Sequence, residues 1–100
     1  MNYGIDKEDF ELILNHIKVN LGSTVKPKIF IFGSRAKGNH RKYSDIDLLL
    51  KADSYDLNAL SNLDFEELDT PYKVDFVLDS DLIEAYRDDV YSTMLNITLF

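Results

Sequence analysis

The sequence contains no cysteine, no long apolar run and no excess of basic residues. The absence of cysteine excludes disulfide bonds, thiolate zinc sites and cysteine nucleophiles. No apolar run approaches the roughly 18–20 residues needed to cross a bilayer, so we expect no membrane insertion. The N-terminus, MNYGIDKEDFE, has no basic segment followed by an apolar one, and we therefore expect no signal peptide. Together these absences favour a cytoplasmic protein.

Acidic residues dominate the charge, with 18 aspartates and glutamates against 11 lysines and arginines and a formal net charge of −7. Such a surface argues against direct nucleic-acid binding, because that function needs basic patches facing phosphates. The basic residues nevertheless cluster in one short stretch, which contains Arg35, Lys37, Arg41 and Lys42. This cluster is either a solvated loop or a positive collar around an anionic ligand, and charge alone leaves both interpretations open.

The pattern of apolar residues predicts a single layered α+β domain over residues 1–100. A hydrophobic content of 45% in 100 residues suits one small globular domain. Apolar positions in Lys7–Leu21 recur at helical spacing, with Asp6 as a candidate N-cap and Gly22 as the residue after the helix. The other predicted elements are strands at Lys28–Phe32, Asp45–Ala52 and Lys73–Asp79, a helix within Ser54–Leu68, and a final helix from Leu82 capped by Ser80 or Asp81.

A pair of aspartates, in SDIDLLL, lies at the start of the second predicted strand. Because residues i and i+2 of a strand share a face, Asp45 and Asp47 point the same way. Asp75, in KVDFVLD, lies on a matching face if the second and third strands are neighbours. Like charges held this close need a cation, and Mg²⁺ binds carboxylate oxygens together with phosphate oxygens. A D-x-D pair alone is more simply two solvent-facing residues, but the third aspartate and an upstream Gly-Ser pair favour a metal site.

The upstream pair, Gly33 and Ser34, follows the first predicted strand and opens a polar loop. Glycine lets the backbone come close to a ligand, and N–H groups and the Ser34 hydroxyl can donate to phosphate oxygens. The simpler alternative is a strand-to-turn glycine followed by a serine helix cap. Arg35 is a further candidate nucleotide-binding residue through its fork of donors, or it pairs with a surface carboxylate.

The stretch FGSRAKGNHRKYSDIDLLL, together with the later VDFVLD, resembles the minimal nucleotidyltransferases (MNT) of the polymerase-β-like superfamily. The signature of that family is Gly-Ser, ten residues and Asp-x-Asp, and the resemblance extends from about Ile29 to Leu78. It implies a nucleotidyltransferase fold, a short mixed β-sheet with helices packed on it. It also implies that Gly33-Ser34 holds the nucleotide triphosphate. Asp45, Asp47 and Asp75 are implied to bind two Mg²⁺ ions and to be the catalytic residues.

Minimal members of this kind resemble the antitoxin half of two-component MNT/HEPN pairs. In those pairs the MNT protein transfers AMP from ATP to a tyrosine hydroxyl of the HEPN ribonuclease toxin and thereby neutralises it. The resemblance implies the same activity here, with a HEPN toxin as the partner in a hetero-oligomer. Two alternatives stay open: an antitoxin that acts by binding alone, and the catalytic subunit of a small-molecule nucleotidyltransferase of the aminoglycoside type.

The C-terminal segment has no part in this signature. Tyr86 and Tyr91 are either core residues or part of a partner-binding patch. The tail LNITLF is predicted to be a helix end or a short strand, with Leu95 and Ile97 in the core.

Overall fold

Four strands form one mixed sheet in the computed structural model, which describes residues 3–21, 27–52 and 63–98. They lie in the order β3-β2-β1-β4; β2 and β3 are parallel, and β1 is antiparallel to both β2 and β4. The strands are β1 (Lys28–Phe32), β2 (Ile46–Lys51), β3 (Val74–Leu78) and β4 (Leu95–Asn96). The α-helices are α1 (Lys7–Leu21), α2 (Ser34–Lys37) and α3 (Glu84–Thr93). The predicted α+β fold with a short mixed sheet is confirmed.

The larger hydrophobic core joins α1 to one face of the sheet. Its helix members recur every three or four residues and so share one side of α1: Ile13, Leu14, Ile17 and Leu21. Its sheet members alternate along β1 and β2, as the two-residue period of a strand requires: Ile29, Ile31, Ile46, Leu48 and Leu50. Within the described ranges, no helix is both long and apolar enough to span a bilayer.

The opposite face of the sheet carries a smaller core and the acidic residues. Leu49 of β2 and Val90 of α3 belong to this second cluster, and Val77 of β3 packs against it. Asp47 shares a face with Leu49, and Asp75 shares a face with Val77, because each pair is two residues apart. The apolar packing on this face is therefore replaced by carboxylates at the N-terminal ends of β2 and β3.

The first three strands match their predictions to within one residue at each end, and a helical turn begins at Ser34 as expected. The predicted helix at Ser54–Leu68 is wrong over residues 63–68, where a 3-10 turn, Phe65–Glu67, is present instead; residues 54–62 lie outside the described ranges. Asp64 explains the turn, because its carboxylate accepts a 2.9 Å hydrogen bond from the N–H of Glu66.

The last helix begins at Glu84, later than predicted, and its N-cap residue, Ile83, makes no side-chain capping hydrogen bond. Ser80 and Asp81, the predicted caps, instead belong to a 3-10 turn, Asp79–Asp81. Gly22, the residue expected after α1, lies outside the described ranges.

The C-terminal segment forms the short edge strand β4 beside β1. Ile97 is buried as predicted, but the prediction for Leu95 is wrong, because its side chain is 42% exposed. Beyond β4, the hydroxyl of Thr98 accepts a 2.7 Å hydrogen bond from the N–H of Ile29 and holds the segment against β1. Tyr86 and Tyr91 are exposed rather than core residues.

Two β-branched residues on α1 allow a matched test of the larger core. Ile17 is completely buried, whereas Val19 is 68% exposed. We expect Ile17→Ala to lower the free energy of unfolding by about 2–5 kcal/mol, because it removes buried methyl groups and leaves a cavity. Val19→Ala is expected to change it by less than about 0.5 kcal/mol. Urea titrations of both variants measure the difference, and equal losses would contradict the assignment of this helix face to the core.

Candidate active site

The two strand-borne aspartates meet at one end of the sheet. Asp47 is the direct cross-strand partner of Asp75 in the parallel β2–β3 ladder. Neighbouring strands lie about 4.8 Å apart, so both residues project from the same face at close range. Asp45 lies just before β2 and shares the face of Asp47 by alternation. The prediction that the second and third strands are neighbours in the sheet is thus confirmed.

Burial and crowding act together on the charge of Asp47. Its side chain is partly buried, whereas Asp45 and Asp75 are exposed. Burial raises the pKa of Asp47 above its ordinary value, and the negative charges of Asp75 and then Asp45 raise it further. The three carboxylates therefore share one electrostatic environment, in which full ionisation is costly unless a cation is present.

Gly33, which follows the last residue of β1, lies directly against the carboxylate of Asp47. Phe32, the last residue of β1, pairs with Asp47 in the antiparallel ladder, so the chain leaves β1 beside this side chain. Gly33 has φ 77° and ψ −151°, a region that essentially only glycine adopts. A Cβ atom at this position would lie 2.8 Å from Oδ2 of Asp47. Both the backbone and the close contact therefore require glycine, and they place the Gly33-Ser34 corner against the aspartates.

Arg35 lies inside the protein and not at a phosphate-facing position. Its side chain is only 1% exposed. The guanidinium donates hydrogen bonds of 2.9–3.1 Å to the backbone carbonyls of Tyr3, Lys42 and Ser44. The ring of Tyr72 lies 4.9 Å from its central carbon. Because the guanidinium is buried and makes these four hydrogen bonds, the structure argues against the predicted nucleotide contact and gives Arg35 a structural role.

That role concerns the start of the D-x-D segment. Ser44 directly precedes Asp45, and its carbonyl accepts two hydrogen bonds from Arg35. The same guanidinium ties this loop to Tyr3, 32 residues away in sequence. Burial lowers the pKa of Arg35, as expected for a charge withdrawn from water. No pattern in the sequence signals such an anchor, because its partners are backbone carbonyls.

The donor chemistry suits a hard divalent cation, although the carboxylates do not form a closed cage. Among residues 3–21, 27–52 and 63–98, no group of three or more possible ligand side chains is already arranged around a metal position. Mg²⁺ does not require such a cage, because it usually keeps several waters and binds one or two carboxylates plus substrate phosphates. Asp47 and Asp75 are the first candidates as ligands because they are cross-strand partners, and Asp45 is the third.

Comparison with known proteins identifies the family of the chain. The family model described as a nucleotidyltransferase domain matches residues 13–98. The chain belongs to the nucleotidyltransferase domain family. The match includes all of β1, β2 and β3, and with them the Gly33-Ser34 corner and the three aspartates.

One relative of this nucleotidyltransferase domain is the Haemophilus influenzae protein named "Probable protein adenylyltransferase MntA". The two chains are 36% identical over 63 residues, which is 60% of this chain and 55% of the relative. The matched region therefore spans about half the length of that curated relative.

Two solved structures show the same fold. The first is a crystal structure of a toxin–antitoxin with AMP-PNP, with a TM-score of 0.64 and 22% identity over 86% of this chain and 69% of that one. The second is a Sulfolobus solfataricus protein assigned as a nucleotidyltransferase, with a TM-score of 0.52 and 22% identity over 86% of this chain and 76% of that one. At such identity the likeness concerns the fold alone.

Two glycines with positive φ differ both in backbone region and in what a Cβ atom would meet. Gly33→Ala is expected to lower the free energy of unfolding by about 1–3 kcal/mol, and its new Cβ displaces the Asp47 carboxylate. At Gly38, with φ 79°, a Cβ would meet no atom of the described residues within 4 Å, so Gly38→Ala tests strain alone. We expect it to cost about 1 kcal/mol. Urea unfolding measures both, and an equal loss in the two variants would contradict the combined cost of the glycine-only backbone region and the close contact at Gly33.

The raised pKa of Asp47 predicts a stability that depends on pH. The stabilisation associated with this group is fully present below its ordinary pKa of 3.8 and is lost as the pH rises through the elevated folded-state value. Without divalent cations, the free energy of unfolding of Asp47→Asn should therefore increase relative to that of the wild type as the pH rises from about 3.5 to 7. Chemical unfolding in EDTA across this range tests it. Asp88→Asn, exposed on α3, is the control and should show no such trend; a parallel trend in both variants would refute the assignment.

Proposed function

We propose that this chain is a Mg²⁺-dependent nucleotidyltransferase antitoxin that transfers AMP from ATP to a tyrosine hydroxyl of a partner HEPN ribonuclease toxin. The observation that carries the proposal is the pairing of Asp47 with Asp75 beside the Gly33-Ser34 corner. This arrangement brings the Gly-Ser and Asp-x-Asp signature of the nucleotidyltransferases to one end of the sheet, together with Asp75 on the neighbouring strand.

The comparisons support the choice of reaction and partner. The family is that of nucleotidyltransferase domains, and a curated relative is named as a protein adenylyltransferase. A structure with the same fold is a toxin–antitoxin crystallised with an ATP analogue. An acidic chain with a net charge of −7 also suits a basic ribonuclease as partner. The HEPN identity of the toxin is taken from the family resemblance, and a cytoplasmic location is proposed from the lack of cysteine, signal peptide and long apolar run.

In the proposed reaction the tyrosine hydroxyl oxygen attacks the α-phosphorus of ATP. The new bond joins that oxygen to phosphorus, and the bond from phosphorus to the oxygen bridging the β-phosphate breaks. Pyrophosphate leaves with the bonding electron pair. The hydroxyl proton passes to a carboxylate, for which Asp75 is the most suitable, because it is exposed at the outer strand of the pair.

The three aspartates would hold the metal, and the glycine corner would hold the triphosphate. When bound, Mg²⁺ would neutralise the carboxylates and the phosphate oxygens and stabilise the leaving pyrophosphate. Asp47 would be the innermost of these ligands, since its side chain is partly buried whereas those of Asp45 and Asp75 are exposed. Because Gly33 has no side chain, the backbone can lie close to the Asp47 carboxylate. Ser34, the next residue, would then donate to phosphate oxygens.

The double variant Asp45→Asn, Asp47→Asn tests this proposal. We expect AMP transfer to a co-expressed HEPN partner to fall at least about a thousandfold, because the charges that bind the metal and nucleotide are gone. Intact mass of the partner, read as the gain of AMP units, is the measurement. Co-purification of the two chains reports whether the variant still folds and binds.

A matched control removes the same two charges elsewhere. Asp88→Asn with Asp89→Asn changes two exposed aspartates of α3 and should leave AMP transfer at the wild-type rate. If the wild-type chain inhibits the toxin without any gain of mass, the protein acts by binding alone. If pyrophosphate is released with aminoglycosides but not with the toxin, the acceptor is a small molecule.

A further inference from the structure

The outer strand β3 directs one row of main-chain hydrogen-bonding groups away from the sheet. In the parallel ladder with β2, the carbonyl of Lys73 accepts a 2.9 Å hydrogen bond from the N–H of Ile46. Every second residue after Lys73 also faces β2, because main-chain groups alternate in direction along a strand. The groups of Val74, Phe76 and Leu78 therefore face outwards, and no other strand of the described residues pairs with them.

Strand β3 lacks the features that usually protect the edge of a sheet. An exposed edge invites pairing with another chain unless it is very short or carries a proline, a bulge or several charges. The other edge strand, β4, is only two residues long. In contrast, β3 has five residues, VDFVL, with no proline and a single charge, and its ladder with β2 runs through five consecutive pairs. The edge at β3 is therefore the one suited to pairing.

The apolar side chains of β3 are covered on one flank only. Val74, Phe76 and Leu78 pack against the larger core but are half-buried. Their cross-strand partners on β2 are at most 1% exposed. A further strand beside β3 would cover the exposed flank of all three side chains and extend the larger core across the edge.

A second copy of β3 fits this edge in one antiparallel register. When Phe76 pairs with Phe76 of the second copy, each outward-facing residue meets another outward-facing residue, and Val74 meets Leu78 of the second copy. Each such pair exchanges two main-chain hydrogen bonds in an antiparallel ladder. The same register places apolar side chains against one another, including an aromatic pair at the centre.

The charged residues that flank β3 agree with this register. Lys73 and Asp79 lie on the α3 face of the sheet. Lys73 is 4.0 Å from Asp75 of the same face, and Asp79 accepts a 2.5 Å hydrogen bond from Tyr91 of α3. Across the two copies Lys73 lies opposite Asp79, which is a favourable cross-strand pair. The two-fold axis repeats this pair at the other end of the ladder.

The neighbouring two-fold registers are unfavourable. If the axis moved by one residue along β3, Asp75 would lie directly opposite either Asp75 or Asp79 of the second copy. Like charges directly opposite each other destabilise a ladder. The sequence of the edge therefore both supports the register centred on Phe76 and opposes the two registers next to it.

We propose that the chain forms a two-fold symmetric dimer in which the β3 strands of two copies pair antiparallel about Phe76 and join the two sheets into one. The dimer does not depend on the reaction proposed above. In it, Asp75 lies opposite Val77 of the second copy and on the same face of the sheet. Each copy therefore borders the carboxylate site of the other.

Single cysteines can report the register, because the sequence has none of its own. In the dimer the Cα atoms of residue 73 and of residue 79 of the second copy lie about 4.5 Å apart, a distance that a disulfide spans. Two copies of residue 73, or of residue 79, lie about 20 Å apart. A mixture of Lys73→Cys and Asp79→Cys chains should therefore cross-link on mild oxidation, whereas each variant alone should not. The control mixes Lys73→Cys with Val19→Cys, at an exposed position of α1, and should give no cross-link.

A second pair of variants tests the main-chain bonds of the edge. Val74→Pro removes a donor that faces outwards and leaves the donors that face β2 in place. Val74→Ala shortens the same side chain but keeps its N–H. We expect the dimer dissociation constant, measured by analytical ultracentrifugation, to be at least about tenfold higher for Val74→Pro than for Val74→Ala, because symmetry removes two hydrogen bonds. Circular dichroism reports whether both variants keep the fold.

The mass of the wild-type chain completes the test. Light scattering at about 0.5 mM, well above the dissociation constant expected for a small interface, should give twice the mass of one chain. A monomer at this concentration overturns the dimer, and a mass that continues to grow beyond two copies overturns its closed symmetry. A dimeric mass without the mixed disulfide assigns the contact to another surface and also overturns the proposal, as do disulfides in either variant alone. The mass and the cross-links decide the question even if Val74→Pro fails to fold.

Discussion

The pairing of Asp47 with Asp75 across the parallel β2–β3 ladder is the constraint on which this molecule depends. Two carboxylates on one face repel each other, and the fold accepts this cost because the other face of both strands is apolar. Ile46 and Leu48 are fully buried there, and Val74 packs against the same core. A slip of one residue would turn that apolar face to solvent. Hydrophobic packing thus fixes the register that places the charges together.

Gly33 and Arg35 hold the backbone around the aspartates, whereas Lys73, 4.0 Å from the Asp75 carboxylate, is the nearby cation. Gly33 brings the chain against Asp47, and buried Arg35 fixes the carbonyl before Asp45. Although Arg35 is cationic, its donors bond to backbone carbonyls and not to the carboxylates. Burial, and then the negative charges of Asp75 and Asp45, therefore raise the pKa of Asp47.

The strands and the aspartates could be predicted from sequence because each depends on local patterns. Alternation in β2 and β3 identified which side chains share a face, and the Gly-Ser spacing identified Gly33. The role of Arg35 could not be predicted, because it depends on the carbonyl of Tyr3, which only the tertiary fold brings near. The helix expected before Pro71 failed over its described part because Asp64 caps a 3-10 turn. Leu95 was misplaced because a two-residue edge strand leaves its side chain on the open surface.

The sheet also explains how one small domain brings two acidic side chains and a glycine corner to one place. Parallel pairing of β2 and β3 puts both carboxylates at the N-terminal ends of the strands, while antiparallel pairing brings the end of β1 to the same place. The end of β1 therefore borders the acidic centre on one side. Because β3 is the edge of the sheet, no further strand of the described residues covers the centre on the other side. The strand order thus leaves the carboxylates at an open edge rather than enclosed within the sheet.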